Sequence, residues 1–253
     1  MATYIADYIG KESRLDHQAE TKSSSTDLVT AVDRRAEAMT IEAISEVRPD
    51  DGFVGEEGSS KAGTTGVDWV IDPIDGTTNF VHGHPGFCVS IAAEVSGRVV
   101  AGAVGDPSHG QVFDAAVGSG ACCNGEVIQA SHCGDIHRAV IATGFSYNPE
   151  RRREQALALA EILPEVADIR RMGSAATDLC GVALGRVDAY YETGLNHWDL
   201  AAGALIASEA GATVQLPGTS HTDDDLIIAS APAIYSDLRV LIERSDLVST
   251  HSR

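Results

Sequence analysis

Apolar and polar positions follow several rhythms along this chain. From Thr30, TAVDRRAEAMTIEAISEV spaces its apolar residues at three and four, predicting an amphipathic helix that stops before RPDDG. Residues 1–20 read as an earlier helix, separated from it by a polar loop, TKSSSTD. GFVGEE and VDWVIDP are short strand-like runs, and each ends in acids. Between residues 86 and 128 the period falls to two. GFCVSIAAEV alternates Phe87, Val89, Ile91, Ala93 and Val95 with smaller or polar residues, the pattern of a half-buried strand. RVVAGAVGDP, QVFDAAVG and ACCNGEVIQ follow, joined at Ser96-Gly97, Ser119-Gly120 and Asn124-Gly125, and predict an antiparallel meander.

Beyond about residue 137 strands and helices alternate. RAVIATG, VDAYYE and DLIIAS read as strands. PERRREQALALAEIL, SAATDLCGVAL, WDLAAGALIASEAG and IYSDLRVLIERS read as helices, with Gly211 stopping the third. The expected class is α+β. A helix-and-meander half, residues 1–136, precedes an α/β half, residues 137–253, in one compact unit without repeats or low-complexity linkers.

Composition narrows the function. At 253 residues, 43% hydrophobic and 22% charged, the chain can bury a substantial core. It shows no apolar run long enough for a membrane span. MATYIADYIGKESR also lacks the basic-then-apolar layout of a signal peptide, so a cytoplasmic enzyme is expected. The five cysteines (Cys88, Cys122, Cys123, Cys133 and Cys180) show no C-x-x-C spacing and read as reduced structural thiols. Cys122-Cys123 is expected to be a buried pair on a strand. A formal net charge of −19 disfavours direct nucleic-acid binding. Phosphates remain accessible to so acidic a chain if divalent cations stand between.

Acids cluster at element ends in four places: Glu56-Glu57, Asp72 with Asp75, Glu192, and Asp199. Taken singly, each reads as a solvated helix cap or strand end. The group WVIDPIDGTTNF is different. Asp72-Pro73 forces an extended bend, and Asp75-Gly76-Thr77-Thr78 reads as a tight turn into a helix, whose first N–H groups suit a phosphate. Two carboxylates there would repel that phosphate unless cations intervened, and oxygen donors without Cys or His select Mg²⁺ over zinc. His82 and His84 form the one H-x-H, a weaker transition-metal alternative with no obvious third ligand.

GEE at 55–57, WVIDPIDGTTNF at 69–80 and NHWDLAAGALIASEAGA at 196–212 together resemble the inositol monophosphatases. These are magnesium-dependent, lithium-sensitive phosphatases related to the fructose-1,6-bisphosphatases. KSSSTDLVTAVDRRAE, GACCNGEVIQAS, ATGF and MGSAATDLCGVALGRVDAYYE also fall in family order. The resemblance implies an αβαβα layered sandwich, a homodimer, two or three Mg²⁺ ions and a small-molecule phosphate ester as substrate.

It also implies roles. Glu56 would ligate a first metal and help hold the nucleophilic water. Asp72 would bridge two metals, and the carbonyl of Ile74 would complete the first site. Asp75 and Asp199 would hold the second metal, with Glu57 near a weaker third. Thr77 would hydrogen-bond the water, backed by Asp33. The amides of Gly76 and Thr77, beside Thr78, would cradle the phosphate. Gly173, Ser174, Ala175 and Glu192 would line the substrate's hydroxyls together with Asp75 and Asp199, and Lys22 would lie on the loop before the second helix.

The expected reaction is hydrolysis of myo-inositol 1-phosphate by direct attack of water. Fructose 1,6-bisphosphate and other sugar or histidinol phosphates remain alternatives. Thr78-Asn79 argues against a 3′-phosphoadenosine 5′-phosphate enzyme, whose relatives carry a lysine and an acid there, and against those histidinol-phosphate phosphatases that differ in the same place. A reading of another class is a regulatory protein partner of the transcription machinery; the complete acid set favours catalysis.

Overall fold

The computed structural model describes residues 1–13, 20–21, 28–218, 225–245 and 247. Lys22 and the SSSTD run fall outside them. Two helices lead the chain, α1 (Ala2–Glu12) and α2 (Ala31–Val47), with a two-stranded ribbon of β1 (Glu20–Thr21) and β2 (Leu28–Val29) between. The first helix is shorter than the expected 1–20. It ends at Glu12, where Ser13 caps it and returns its hydroxyl to the carbonyl of Gly10 at 3.1 Å. α2 begins where its apolar spacing begins, because Thr30 and Asp33 form a reciprocal capping box.

Eight strands then build the first sheet: β3 (Gly52–Gly55), β4 (Ser60–Lys61), β5 (Val67–Asp75), β6 (Cys88–Val95), β7 (Arg98–Asp106), β8 (Gln111–Ala116), β9 (Ala121–Cys123) and β10 (Glu126–Ile128). Their order is β10-β9-β8-β7-β6-β5-β3-β4. The meander is antiparallel as expected, and it continues into β5, beside which β3 runs parallel. The short helix α3 (Thr77–His82) interrupts the sequence between β5 and β6.

The second sheet is mixed. β11 (Val140–Thr143) precedes α4 (Pro149–Ile162), β12 (Asp168–Arg170) and α5 (Ala175–Ala183). β13 (Ala189–Thr193), α6 (His197–Glu209), β14 (Thr213–Gln215), β15 (Leu226–Ser230) and α7 (Tyr235–Arg244) complete the chain. The order is β12-β11-β13-β15-β14, parallel across the first three and antiparallel thereafter.

Side-chain alternation stacks these elements into five layers. Ile71, Val89 and Ile91 pack against α1 and α2 through Ile5, Ile9 and Ala36. Residues of opposite parity, Val70, Cys88, Ala92 and Val104, meet α5 and α6. The far side of those helices meets Ala142, Tyr190, Ile227 and Ala229 of the second sheet. Ile141, Ala189, Tyr191 and Ile228 face the other way, onto α4 and α7. This is the αβαβα sandwich.

The layering corrects one expectation. β6 is buried on both faces, with Val89 and Ser90 exposed by 0% and 1%, because helices cover both sides of the first sheet. Its alternation of large with small residues fits two unequal layers, not a wet face. The cysteine pair is corrected too: Cys123 is buried, but the intervening half-turn of the strand leaves Cys122 half-buried. All five cysteines are free thiols.

Candidate active site

β5 delivers the first part of the site. Its pairing with β6 slips between Asp72 and Asp75, at a point where Pro73 has no N–H to give the ladder. Asp72, Ile74 and Asp75 all line one cavity as a result. Gly76 then turns the chain into α3 with φ of 92°. A Cβ on Gly76 would lie 2.6 Å from the carbonyl oxygen of Gly86 and 3.2 Å from that of Gly173, so both conformation and space require glycine.

The cavity measures about 480 Å³ and draws its walls from both sheets and from the N-terminal ends of α5 and α6. Glu56, Asp72, Asp75, Asp178, Glu192 and Asp199 all line it. Local bonds fix most of these acids. Asp75 Oδ2 accepts from Ser174 Oγ and from the amide of Ala176, each at 2.7 Å. Ser174 also caps α5 by accepting from the amide of Thr177 at 3.1 Å. Asp199, the third residue of α6, accepts from the amide of Asn196 at 2.7 Å. Tyr190 donates its hydroxyl to Glu192 at 2.7 Å, two residues along β13 on the same face.

Behind the cavity two further carboxylates hold the scaffold. Thr77 Oγ1 stands 3.2 Å from Asp33 Oδ1 and 3.0 Å from the carbonyl of Ile74. Buried Glu37 accepts from the amides of Glu57 at 2.9 Å and Ser59 at 3.2 Å, bracing the turn that presents Glu56.

So many acids in one cavity raise one another's proton affinity. Burial, then the neighbouring Glu56, Asp75 and Asp199, push the Asp72 carboxyl well above its ordinary range. Burial and Asp199 bring Asp75 to about 7, and burial is the main cause for Asp199 and Glu192, each also at about 7. Asp178 is raised by burial and then by Glu192. Such a cluster is costly to ionise unless cations compensate.

The donor set fits hard cations. No Cys or His lines the cavity, and Asp72 Oδ1 is buried without a hydrogen-bond partner among the described residues. Among those residues no three His, Cys, Asp or Glu side chains form a group that could hold a metal by themselves. Protein donors hold Asp75 and Asp199 instead, so a Mg²⁺ shell here would also need water and a main-chain carbonyl such as that of Ile74.

Of the residues expected from sequence, Glu56, Asp72, Ile74, Asp75, Gly76, Thr77, Gly173, Ser174, Ala175, Glu192 and Asp199 line this one cavity. Asp33 stands behind Thr77, while Glu57 and the exposed Thr78 lie off the cavity wall. His82 and His84 are exposed outside it. Sequence reasoning missed Asp178, Arg171 and Glu37. Asp178 left a signal, as a lone charge in the otherwise apolar helix AATDLCGVA; Glu37 lay unmarked on an amphipathic helix.

Comparison with known proteins agrees with this geometry. The sequence profile of the inositol monophosphatase family matches residues 1–246. An inositol-1-monophosphatase of Mycobacterium leprae is 47% identical over 234 residues, 88% of this chain and 80% of that protein. A Nus factor SuhB of Pasteurella multocida is 42% identical over 233 residues, 90% of this chain and 87% of that protein. The solved structure of Mycobacterium tuberculosis SuhB superposes with a TM-score of 0.82 at 40% identity, covering 98% of this chain and 94% of that one. The chain belongs to the inositol monophosphatase family.

Proposed function

We propose that the cavity hydrolyses a phosphate monoester of a small polyol, with myo-inositol 1-phosphate the foremost substrate, in a Mg²⁺-dependent, lithium-sensitive reaction. The observation that carries this reading is the convergence of Glu56, Asp72, Asp75 and Asp199 on one cavity, with Asp72 Oδ1 buried and without a hydrogen-bond partner among the described residues. Glu56, Asp72, Asp75, Asp199 and the carbonyl of Ile74 would hold two Mg²⁺ ions, with Glu57 beside a third. Bound there, Mg²⁺ would act as a Lewis acid, neutralising phosphoryl oxygens and lowering the pKa of a water.

The chain's own residues orient the reactants. The single hydroxyl proton of Thr77 serves one acceptor at a time. Given to Asp33, it leaves the lone pairs of Thr77 Oγ1 to accept from the attacking water and aim it at phosphorus. Asp33 Oδ2 is already committed to Thr30 Oγ1 at 2.6 Å and Thr30 N at 2.8 Å, which keeps Oδ1 turned toward Thr77. The main-chain amides of Gly76 and Thr77 face the phosphoryl oxygens. α3 has only six residues, so local N–H groups matter there more than a helix dipole. Glu192, with Gly173 and Ala175, meets the polyol hydroxyls. Water oxygen bonds to phosphorus as the bond to the ester oxygen breaks; one of that water's protons stays with the phosphate and the other ends on the leaving alkoxide, releasing polyol and phosphate. The chemistry needs no phosphoenzyme.

The proposed setting is a cytoplasmic homodimer; no helix among the described residues is long and apolar enough to cross a membrane. A second reading, a protein-binding role in transcription, draws on the relative named Nus factor SuhB. Phosphate release from myo-inositol 1-phosphate, fructose 1,6-bisphosphate, histidinol phosphate and 3′-phosphoadenosine 5′-phosphate, with Mg²⁺ and with chelator, separates the two. Magnesium-dependent turnover led by the inositol ester supports the catalytic reading. No turnover of any ester by a folded chain moves the case to the second.

A further inference from the structure

Asp33 and Glu37 are buried carboxylates one turn apart on α2, and each reaches a different arm of the cavity. Asp33 holds Thr77 at the start of α3. Glu37 holds the turn after β3, GEEGS at 55–59, which presents Glu56. No large apolar side chain anchors this turn. It closes on itself, with the amide of Gly55 donating to the carbonyl of Ser59 at 2.8 Å and that of Gly58 to the carbonyl of Gly55 at 3.3 Å. Two further amides of the turn go to Glu37: Oε2 accepts from Glu57 N at 2.9 Å and Oε1 from Ser59 N at 3.2 Å. Gly55 packs directly on the same carboxylate. A Cβ there would lie 2.5 Å from the carboxyl carbon and 2.8 Å from Oε1, so this close approach requires glycine.

Resting on the catalytic reading above, we propose that Glu37 is a positioning residue for cation binding: it sets where the Glu56 carboxylate stands, and thereby the cavity's affinity for Mg²⁺, without touching ion or substrate. Glu56 lines the cavity and Glu37 does not. The main chain of Glu56 is fixed from two sides, by its own amide on the carbonyl of Ile71 at 3.1 Å and by the Glu37 bond to the next amide along. Mg²⁺ demands near-octahedral oxygen donors at about 2.0–2.1 Å, so a misplaced ligand is felt first as lost affinity. The two carboxylates of α2 thus divide the work. Asp33 acts through Thr77 on the reacting water, and Glu37 acts through Glu56 on the ion.

Calorimetric Mg²⁺ binding to the full chain, beside steady-state kinetics on myo-inositol 1-phosphate, tests this. Glu37→Gln keeps one acceptor oxygen but turns an NH₂ toward the second amide, so one of the two bonds is lost. Its Mg²⁺ Kd should rise about tenfold, and that of Glu37→Ala further. Gly55→Ala leaves Glu37 in place but presses on its carboxylate, and it should weaken Mg²⁺ binding in the same direction. At saturating Mg²⁺ the kcat of each variant should return close to the native value, with KM for the ester little changed. Asp51→Asn alters another buried carboxylate, one off the cavity wall, and supplies the purely structural pattern: a lower melting temperature with unchanged Mg²⁺ affinity. That same pattern in Glu37→Gln or Gly55→Ala overturns the proposal, as does a kcat that stays low at saturating Mg²⁺. A native chain that binds Mg²⁺, more weakly in Glu37→Gln, yet hydrolyses no ester keeps the positioning role and loses the phosphatase reading. One that hydrolyses the ester with equal Mg²⁺ affinity across the variants loses the positioning role alone.

Discussion

Thr77 Oγ1 lies 3.2 Å from Asp33 Oδ1, joining the start of α3 to the first turn of α2 across 44 positions of sequence. Asp33 is fully buried, and its other oxygen caps α2 through Thr30. In the proposed reaction one carboxylate would therefore serve helix stability and the orientation of the reacting water together.

Asp33→Asn should expose both functions. Its amide cannot accept from Thr77 and Thr30 on equal terms, so kcat should fall about a hundredfold with KM little changed. Loss of the cap should cost about 1 kcal/mol of stability. Thr77→Ala should cause a similar kcat loss without the cap penalty, and the double variant should be no slower than the worse single one. Strictly multiplicative losses in steady-state kinetics would show that the two residues act separately.

Legibility in the sequence followed range. Acids at element ends, the glycine turn at Gly76 and the helix start at Thr30 are local features, and each stands where its spacing placed it. Nearly all the acids of the opening motifs reached one cavity. What spacing could not convey was long-range context. β6 looked half-buried because a sequence does not say how many layers will cover a sheet. Thr78 shares a motif with Thr77 but, one helical step further on, is turned out to solvent. Glu37 acts 20 positions away, on the amide of Glu57, and Arg171 lines the same cavity as acids far from it in sequence.

The crowded carboxylates make stability depend on pH and on metal. Asp75, Asp199 and Glu192 each titrate at about 7 in the folded chain, against about 4 when unfolded. The folded state therefore binds more protons between those values. Stability of the chelated protein should fall as pH rises from about 4 through 7. Mg²⁺ should raise the melting temperature more at pH 8 than at pH 5.5, since protons no longer compete for the same oxygens. Equal shifts at the two pH values would argue against cation binding at these acids.

Asp51 shows the opposite sign. Arg48 Nε and Nη2 donate to it at 2.8 and 3.2 Å, Thr65 Oγ1 at 2.6 Å and Trp69 Nε1 at 2.9 Å. The Arg48 bond above all holds its carboxyl well below the usual carboxylate range. A depressed folded value adds stability that is complete above the unfolded pKa of about 4 and is lost as pH falls below it. Asp51→Asn should melt lower than the native chain at neutral pH, and that gap should narrow in acid melts. A gap constant down to the acid transition would remove this role.

Gly144 sets the position of Glu192. A Cβ there would stand 1.9 Å from Glu192 Oε2 and 2.3 Å from its carboxyl carbon. Gly144→Ala should leave the fold intact, displace the carboxylate and raise KM for the polyol ester several-fold, with a smaller effect on kcat. An unaltered KM would show that Glu192 does not meet the substrate.

The most direct test is phosphate release from myo-inositol 1-phosphate across a Mg²⁺ titration, for the native chain and Asp75→Asn side by side. The account predicts turnover that saturates with Mg²⁺, vanishes with chelator, and drops by at least about a hundredfold in Asp75→Asn. Turnover indifferent to Mg²⁺, or an Asp75→Asn chain as active as the native one, would contradict it.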